Sequence, residues 1–337
     1  MVTPGARNLI TDVPGLRVGH AEDHRLCTGV TVVLAETPVR TIVDIRGGAP
    51  GTRETDALDA ATLGVKADAI VLSGGSVFGL DAASGVTAWL SAQGRGFELR
   101  PGLPKVPIVP AAILFDLAVG ERLDPAVNPY APLGKTAVAN AHLEFAIGNA
   151  GAGLGAVAGA YKGGIGSASA TIDGVTVGAL VAVNSVGSPI IPGTDLFWAF
   201  ALEQNGEFGG RRIGKPLPQV SLDLPADGKR PPTAPGTNTT LAIIATDAAM
   251  TATELKRVAI MASDGFARAL RPVHTLFDGD LLFALTTDSV PITGDRLVEL
   301  TRIGSVAGDC VARAIARAVY AADSIAGIRS YRDTFSV

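Results

Sequence analysis

The sequence predicts a mixed α/β fold, and two kinds of periodicity carry that prediction. Short runs rich in Val, Ile, Leu and Thr at residues 29–34, 41–44, 69–72, 177–183, 241–247 and 281–285 read as strands. Between them lie stretches with apolar residues at helical spacing, the clearest being Leu255, Val258, Ala259, Ala262 and Phe266, and then Ile303, Val306, Ala307, Cys310, Val311 and Ala314. With 337 residues, 47% of them hydrophobic and 18% charged, the chain can bury a sizeable core in one large domain or two. Its 41 glycines and only 5% aromatics point to tight turns and a core of Ala, Val, Leu and Ile, whose small side chains let layers approach closely.

Taken in order, residues 8–20 read as a strand, a turn at Pro14-Gly15 and a second strand. His20 and His24 are four apart, but His24 lies in a charged loop and no carboxylate-bearing helix supports a metal reading. Residues 46–55 have the Gly/Pro density of an ordered loop, the kind that borders active sites, and Leu58, Ala61 and Leu63 after it have helical spacing. The run at 69–72 enters Gly74-Gly75-Ser76 ahead of a helical stretch at 80–90. Backbone N–H groups there face an anion or a developing oxyanion, unless the segment is a plain strand-to-helix turn. Ser76 lacks the Gly-x-Ser-x-Gly spacing of a nucleophile elbow. A hydrophobic run at 108–117, a charged loop at 120–132 and helical spacing over 134–147 follow.

Residues 151–166 contain seven glycines without the Gly-x-Gly-x-x-Gly pattern or an apolar strand before it, so no dinucleotide site is expected and no cofactor is implied. Lys162 is the only Lys or Arg between Lys135 and Arg211, and in a small-residue loop it is either a solvated tip or a functional cation. Asn184 ends the strand at 177–183, where Asn commonly makes a turn. Thr251-x-x-Glu254 is a capping box opening the helix that holds Leu255. Asp278 and Asp280 precede the strand at 281–285 and point to one side if extended; the other reading is an Asp-Gly turn with two solvated acids.

A formal charge of −4, with no Lys/Arg cluster interleaved with aromatics, gives no reason to expect nucleic acid and favours small molecules or peptides as partners. Cys27 and Cys310 fit no metal spacing and read as free buried thiols of a reducing compartment. The first thirty residues lack a basic n-region with an apolar core, and no stretch reaches about 18 uninterrupted apolar residues, so the expected location is cytoplasmic, away from membranes.

The chemistry centres on Gly236-Thr237-Asn238-Thr239-Thr240, which joins a polar loop with three prolines (229–236) to the strand at 241–247. A hydroxyl at such a junction is where a self-cleaving precursor places its nucleophile. Thr239 Oγ attacks the Asn238 carbonyl, the acyl group shifts from nitrogen to oxygen, and water releases the ester, leaving Thr239 with its own α-amine as base. Taken alone, the segment reads as a Ser/Thr/Asn/Pro-rich loop ahead of an ordinary strand.

Three further blocks bear on that choice: Asp44-Ile45-Arg46-Gly47-Gly48-Ala49-Pro50-Gly51-Thr52-Arg53-Glu54-Thr55, Leu72-Ser73-Gly74-Gly75-Ser76-Val77-Phe78-Gly79-Leu80-Asp81-Ala82-Ala83, and Val109-Pro110-Ala111-Ala112-Ile113-Leu114-Phe115-Asp116. In order and spacing they resemble the self-processing aminopeptidase family, which includes the L-aminopeptidase/D-amidases, the β-aminopeptidases and the nylon-oligomer hydrolases. The Asn-Thr-Thr junction and His274-Thr275-Leu276-Phe277-Asp278-Gly279-Asp280 are most similar to the nylon-oligomer branch, and residues 46–53 to the general aminopeptidase branch.

The resemblance implies a four-layer α-β-β-α sandwich of the N-terminal-nucleophile type, a single domain over 1–337 cut into 1–238 and 239–337, and a homotetramer. It implies an amide hydrolase in which Thr239 attacks, Asn184 and the Gly74 and Gly75 amides are oxyanion donors, and Lys162, Asp278 and Asp280 arrange charge. Phe115, a candidate pocket residue, stands where the nylon-oligomer hydrolases carry tyrosine, which puts their substrate preference in doubt. Short peptides, β-peptides, D-amino acid amides and 6-aminohexanoate oligomers all remain as substrates. An acyltransferase like the ornithine acetyltransferases, or an uncleaved binding protein on the same scaffold, is the alternative.

Overall fold

The computed structural model describes residues 1–59, 61–62, 66–214, 216–221, 223, 228 and 237–337. Its strands are β1 (Val2–Pro4), β2 (Leu16–Asp23), β3 (Thr28–Ile45), β4 (Thr52–Arg53), β5 (Lys66–Ser73), β6 (Ala111–Ile113), β7 (Val157–Ala158), β8 (Tyr161–Lys162), β9 (Gly164–Ile172), β10 (Val175–Asn184), β11 (Thr239–Ala248) and β12 (Leu281–Val290). The helices are α1 (Ala82–Ala92), α2 (Tyr130–Ala139), α3 (Ala252–Ala269), α4 (Arg296–Ala321) and α5 (Tyr331–Phe335). Among the described residues no helix is long and apolar enough to cross a membrane.

The 18-residue β3 links two halves of one ten-stranded sheet. Its first half pairs with β2 and β5, its second half with β12, and the register shifts between Leu34 and Val39. From β12 the sheet continues through β11, β10 and β9 to β1; from β5 it continues through β6 to β4.

Alternate residues of the central strands point to opposite faces and enter different cores. On β10 and β11, Val177, Ala179, Val181, Ala242 and Ile244 pack with the apolar faces of α3 and α4, while Leu180, Ala182, Leu241 and Ile243 meet Val33, Ile70 and Leu72 of the other half-sheet. Val32, Ala69 and Val71 turn outward onto Val86 and Leu90 of α1 and Ala137 and Val138 of α2. The result is four layers, helices on sheet on sheet on helices. All ten residues of β11 are buried, so its apolar stretch at 241–245 is continuous instead of alternating.

The small residues do the work expected of them. A Cβ at Gly265 would lie 2.3 Å from the Gly308 carbonyl oxygen, so α3 and α4 approach as closely as they do only with glycine there. α3 opens with the predicted capping box, the Thr251 hydroxyl accepting from Glu254 N–H and the Glu254 carboxylate from Thr251 N–H.

Several expectations are corrected. Residues 10–12 form a 3-10 turn in place of a strand, and the runs at 29–34 and 41–44 are parts of β3. The helical spacing over 134–147 ends early, at Ala139, and the helix starts before Pro132, since proline is tolerated in a first turn. The pattern at Leu58 and Ala61 yields a 3-10 turn over Asp56–Leu58. Leu63, Gly236 and the loop at 229–236 lie outside the described residues.

Candidate active site

Three strand ends meet at Thr239. β11 runs between β10, its antiparallel neighbour with Asn184 opposite Thr239, and β12, its parallel neighbour with Leu281 opposite Leu241. Parallel pairing carries on past the strand ends as a bridge between Asn238 and Asp278. The Asp278-Gly279-Asp280 turn is thereby laid along the peptide that joins Asn238 to Thr239.

That peptide is held at its carbonyl. The Thr239 hydroxyl donates to Asn238 O, and Gly279 N–H donates to the same oxygen at 2.9 Å. Asn238, Thr239 and Thr240 are all buried. Thr240, the neighbouring hydroxyl, faces the other side of the strand, and its Oγ1 is buried without a hydrogen-bond partner among the described residues.

The two acids are buried, not solvated, each only 1% exposed. Asp280 Oδ1 accepts from Thr240 N–H at 2.6 Å; its Oδ2 accepts from His274 N–H at 3.1 Å and lies 2.9 Å from His274 Nδ1. Asp278 Oδ1 accepts from Val186 N–H at 3.1 Å, and its Oδ2 from the Thr275 hydroxyl at 2.6 Å and Thr275 N–H at 3.1 Å. Burial and then the like charge of Asp280 push the Asp278 carboxyl above the usual range, against the pull of the Thr275 and Val186 donors. Neither carboxylate bonds the Thr239 hydroxyl directly; they fix the backbone around it.

The loop at 46–55 does border this site. Arg46 and Gly47 N–H both donate to Asp280 O, Gly48 N–H to Thr275 O and Ala49 N–H to Asp278 O. A Cβ at Gly47 would lie 2.3 Å from both Asp278 O and Asp280 N, so only glycine lets the loop reach the turn.

On the β10 side, Asn184 is committed to the backbone: its Oδ1 accepts from Val157 N–H and its Nδ2 donates to Phe115 O, both at 2.9 Å. Phe115, half-buried, thus reaches the site through its carbonyl. Lys162 is fully buried, not a solvated tip, and its Nζ donates to Gly153 O and Gly163 O at 2.8 Å. Its link to Thr239 is indirect, through the Val157↔Lys162 pair and the Val157 bond to Asn184. Burial pulls the Lys162 ammonium down to about 7, against the opposing charge of Asp116.

The nest at Gly74-Gly75 does hold an anion, but the chain's own. Gly75 N–H donates to Asp116 Oδ1 at 2.7 Å, the Thr28 hydroxyl to Asp116 Oδ2 at 2.7 Å, and Gly74 N–H to Gly29 O at 2.9 Å. Both candidate oxyanion amides are therefore engaged in this structure. Burial raises the Asp116 carboxyl to about 6. Sequence reasoning gave no role to Asp116, His274 or the Gly279 amide; for the last, a glycine between two acids ahead of a strand is the signal that was there to use.

The model of peptidase family S58 matches residues 8–332, almost the whole chain. The chain belongs to peptidase family S58. Among S58 relatives, an uncharacterised aminopeptidase of Mycobacterium tuberculosis (strain ATCC 25618 / H37Rv) is 44% identical, the match covering 97% of this chain and 98% of the relative. A 6-aminohexanoate-oligomer endohydrolase of Kocuria sp. (strain KY2) is 30% identical over 93% of this chain and 86% of its own. The structure of the L-aminopeptidase D-Ala-esterase/amidase from Ochrobactrum anthropi, described as a variant of the Ntn hydrolase fold, superposes with a TM-score of 0.70 at 22% identity, covering 95% of this chain and 88% of that one. The fold is thus that of the Ntn-type aminopeptidases, and the S58 chain is a hydrolase of the aminopeptidase/amidase type.

Proposed function

We propose that this S58 chain is a self-processing amide hydrolase whose nucleophile is Thr239, freed by cleavage of the Asn238–Thr239 bond. The observation that carries the reading is the Thr239 hydroxyl donating to the carbonyl of the peptide it would attack, at the buried start of a central strand. Once cleaved, the Thr239 amine stands beside its own hydroxyl as general base. The product segments, 1–238 and 239–337, stay together because β11 and β12 are inner strands of the shared sheet and need no peptide bond to remain buried.

In this reading Asp280 sets the start of β11 through Thr240 N–H, Asp278 fixes the segment after β10 through Val186 N–H, and Asn184 and Lys162 hold the β10 side. The substrates are short amides such as peptides or amide oligomers, the latter class suggested by the name of the Kocuria relative. A homotetramer in the cytoplasm is part of the same proposal; its supports are the family resemblance and the two free buried thiols. A panel of α-peptides, β-peptides, D-amino acid amides and 6-aminohexanoate oligomers, assayed with wild-type protein and Thr239→Ala, tests the reading. Hydrolysis of at least one class by wild type alone is expected; equal hydrolysis by both proteins would overturn it.

A further inference from the structure

The self-cleavage proposed above needs something to stabilise the charge that appears on the Asn238 carbonyl oxygen when Thr239 Oγ adds to its carbon. The two amides that the sequence offered for such a task, Gly74 and Gly75, are taken by Gly29 O and the Asp116 carboxylate. Asn184 Nδ2 donates to Phe115 O. The backbone amide of Gly279 is different, because its acceptor is the Asn238 oxygen itself, at 2.9 Å.

We propose that the Gly279 N–H is the oxyanion donor of the self-cleavage step, and that residue 279 is glycine because any side chain there would displace the nucleophile. The inference rests on the self-processing reading. Its chemistry is a closed set of bond changes. Thr239 Oγ forms a bond to the Asn238 carbonyl carbon, and the carbonyl π pair moves onto the oxygen facing Gly279 N–H. Collapse of that intermediate breaks the bond to the Thr239 nitrogen, which ends with the hydroxyl proton and becomes a free amine. Water then hydrolyses the Asn238–Thr239 Oγ ester to a carboxyl and the restored hydroxyl.

Three features preorganise the donor, so that little rearrangement is needed when charge develops. The Asn238–Asp278 bridge places the turn alongside the scissile peptide. The buried side chains on either side of Gly279 are each held by several donors, so the turn cannot swing away without stranding two carboxylates. Ala49 N–H, from the 46–55 loop, clamps Asp278 O from outside. The glycine has its own reason: a Cβ at 279 would lie 2.7 Å from Thr239 Oγ1 and 2.8 Å from Ala49 O, closer than real Cβ atoms come. Since 279 is not among the residues with positive φ, the need for glycine is one of space, not of backbone conformation.

The test replaces the N–H with an ester oxygen, which donates nothing and also weakens Asp278 O as the acceptor for Ala49 N–H. Full-length chain made by cell-free translation with glycolic acid in place of Gly279 keeps every atom except that the amide becomes an ester. Cleavage is followed on denaturing gels beside wild type, with folding checked by circular dichroism and thermal melting. Loss of one preorganised donor should slow self-cleavage by roughly a hundred- to a thousandfold in a chain that still melts cooperatively. Gly279→Ala, which keeps the N–H but crowds the hydroxyl, should also cleave slowly. If wild type breaks after Asn238 and the glycolate chain breaks at the same rate, the donor assignment is overturned while self-processing stands. Wild-type cleavage in Gly279→Ala would overturn the packing argument, and a wild-type chain that never breaks would overturn both readings together.

Discussion

Asp280→Asn is the substitution whose outcome the geometry defines most closely. The carboxylate takes Thr240 N–H on one oxygen and the His274 backbone N–H and ring Nδ1 on the other. An amide in its place keeps a single acceptor oxygen. With that oxygen on Thr240 N–H, the new NH2 group faces His274, where the neutral ring can turn its Nδ1 lone pair toward it, but the His274 backbone N–H is left with no acceptor. One partly buried donor without a partner costs up to about 1–3 kcal/mol, a modest part of the roughly 5–15 kcal/mol that holds a typical domain. The variant should therefore fold, with a lower urea midpoint. Because losing the His274 N–H bond lets the turn that carries Gly279 shift against the nucleophile, self-cleavage and amide turnover should both fall by about a hundredfold. Urea titration followed by fluorescence gives the first quantity, and densitometry of the precursor band with an amide assay gives the second. A variant with wild-type stability and wild-type rates would refute the reasoning.

Other outcomes follow from the same geometry. Thr239→Ala should give one folded, uncleaved and inactive chain on a gel, whereas Thr239→Ser, which keeps the nucleophilic oxygen, should still process. Thr240→Val replaces a buried hydroxyl that has no partner among the described residues, so melting should show unchanged or slightly raised stability, by up to about 1 kcal/mol, with cleavage retained. Loss of cleavage in that variant would move the nucleophile to Thr240. For Lys162, lowered from 10.5 to about 7, the unfolded chain binds a proton that the folded chain does not between those values, so stability rises with pH across that window. Asp116 works in the opposite sense, raised from 3.8 to about 6, so that stability falls as pH climbs through its window. Lys162→Met should flatten the rise in melting temperature above pH 7 and leave the fall below pH 6; an unchanged slope above pH 7 would contradict the buried, readily deprotonated lysine.

Much of this was legible in the sequence where side-chain chemistry repeats with a period. The apolar runs of β10, β11 and β12 and the spacing of α3 and α4 identify the layers that cover them. β3 was not legible as one strand because Glu36, Thr37 and Pro38 interrupt its apolar pattern. Its register shift between Leu34 and Val39 brackets Pro38, where a residue without an N–H breaks no ladder bond. At the site, Thr239 and the two acids stood out by residue type and position. The Gly279 amide and the Asp116 plug of the Gly74-Gly75 nest did not, because a backbone donor has no side-chain signature and a pairing across 41 residues has no local one.

Where the chain is cut decides whether Thr239 is the nucleophile. N-terminal sequencing of purified wild-type protein, with intact mass measurement of each fragment, should find a second terminus reading Thr-Thr-Leu-Ala and fragments of about 24 and 10 kDa, in proportion to the 34.2 kDa chain. A terminus of Thr-Leu-Ala would transfer the role to Thr240, and an intact 337-residue chain with full amidase activity would contradict the central claim.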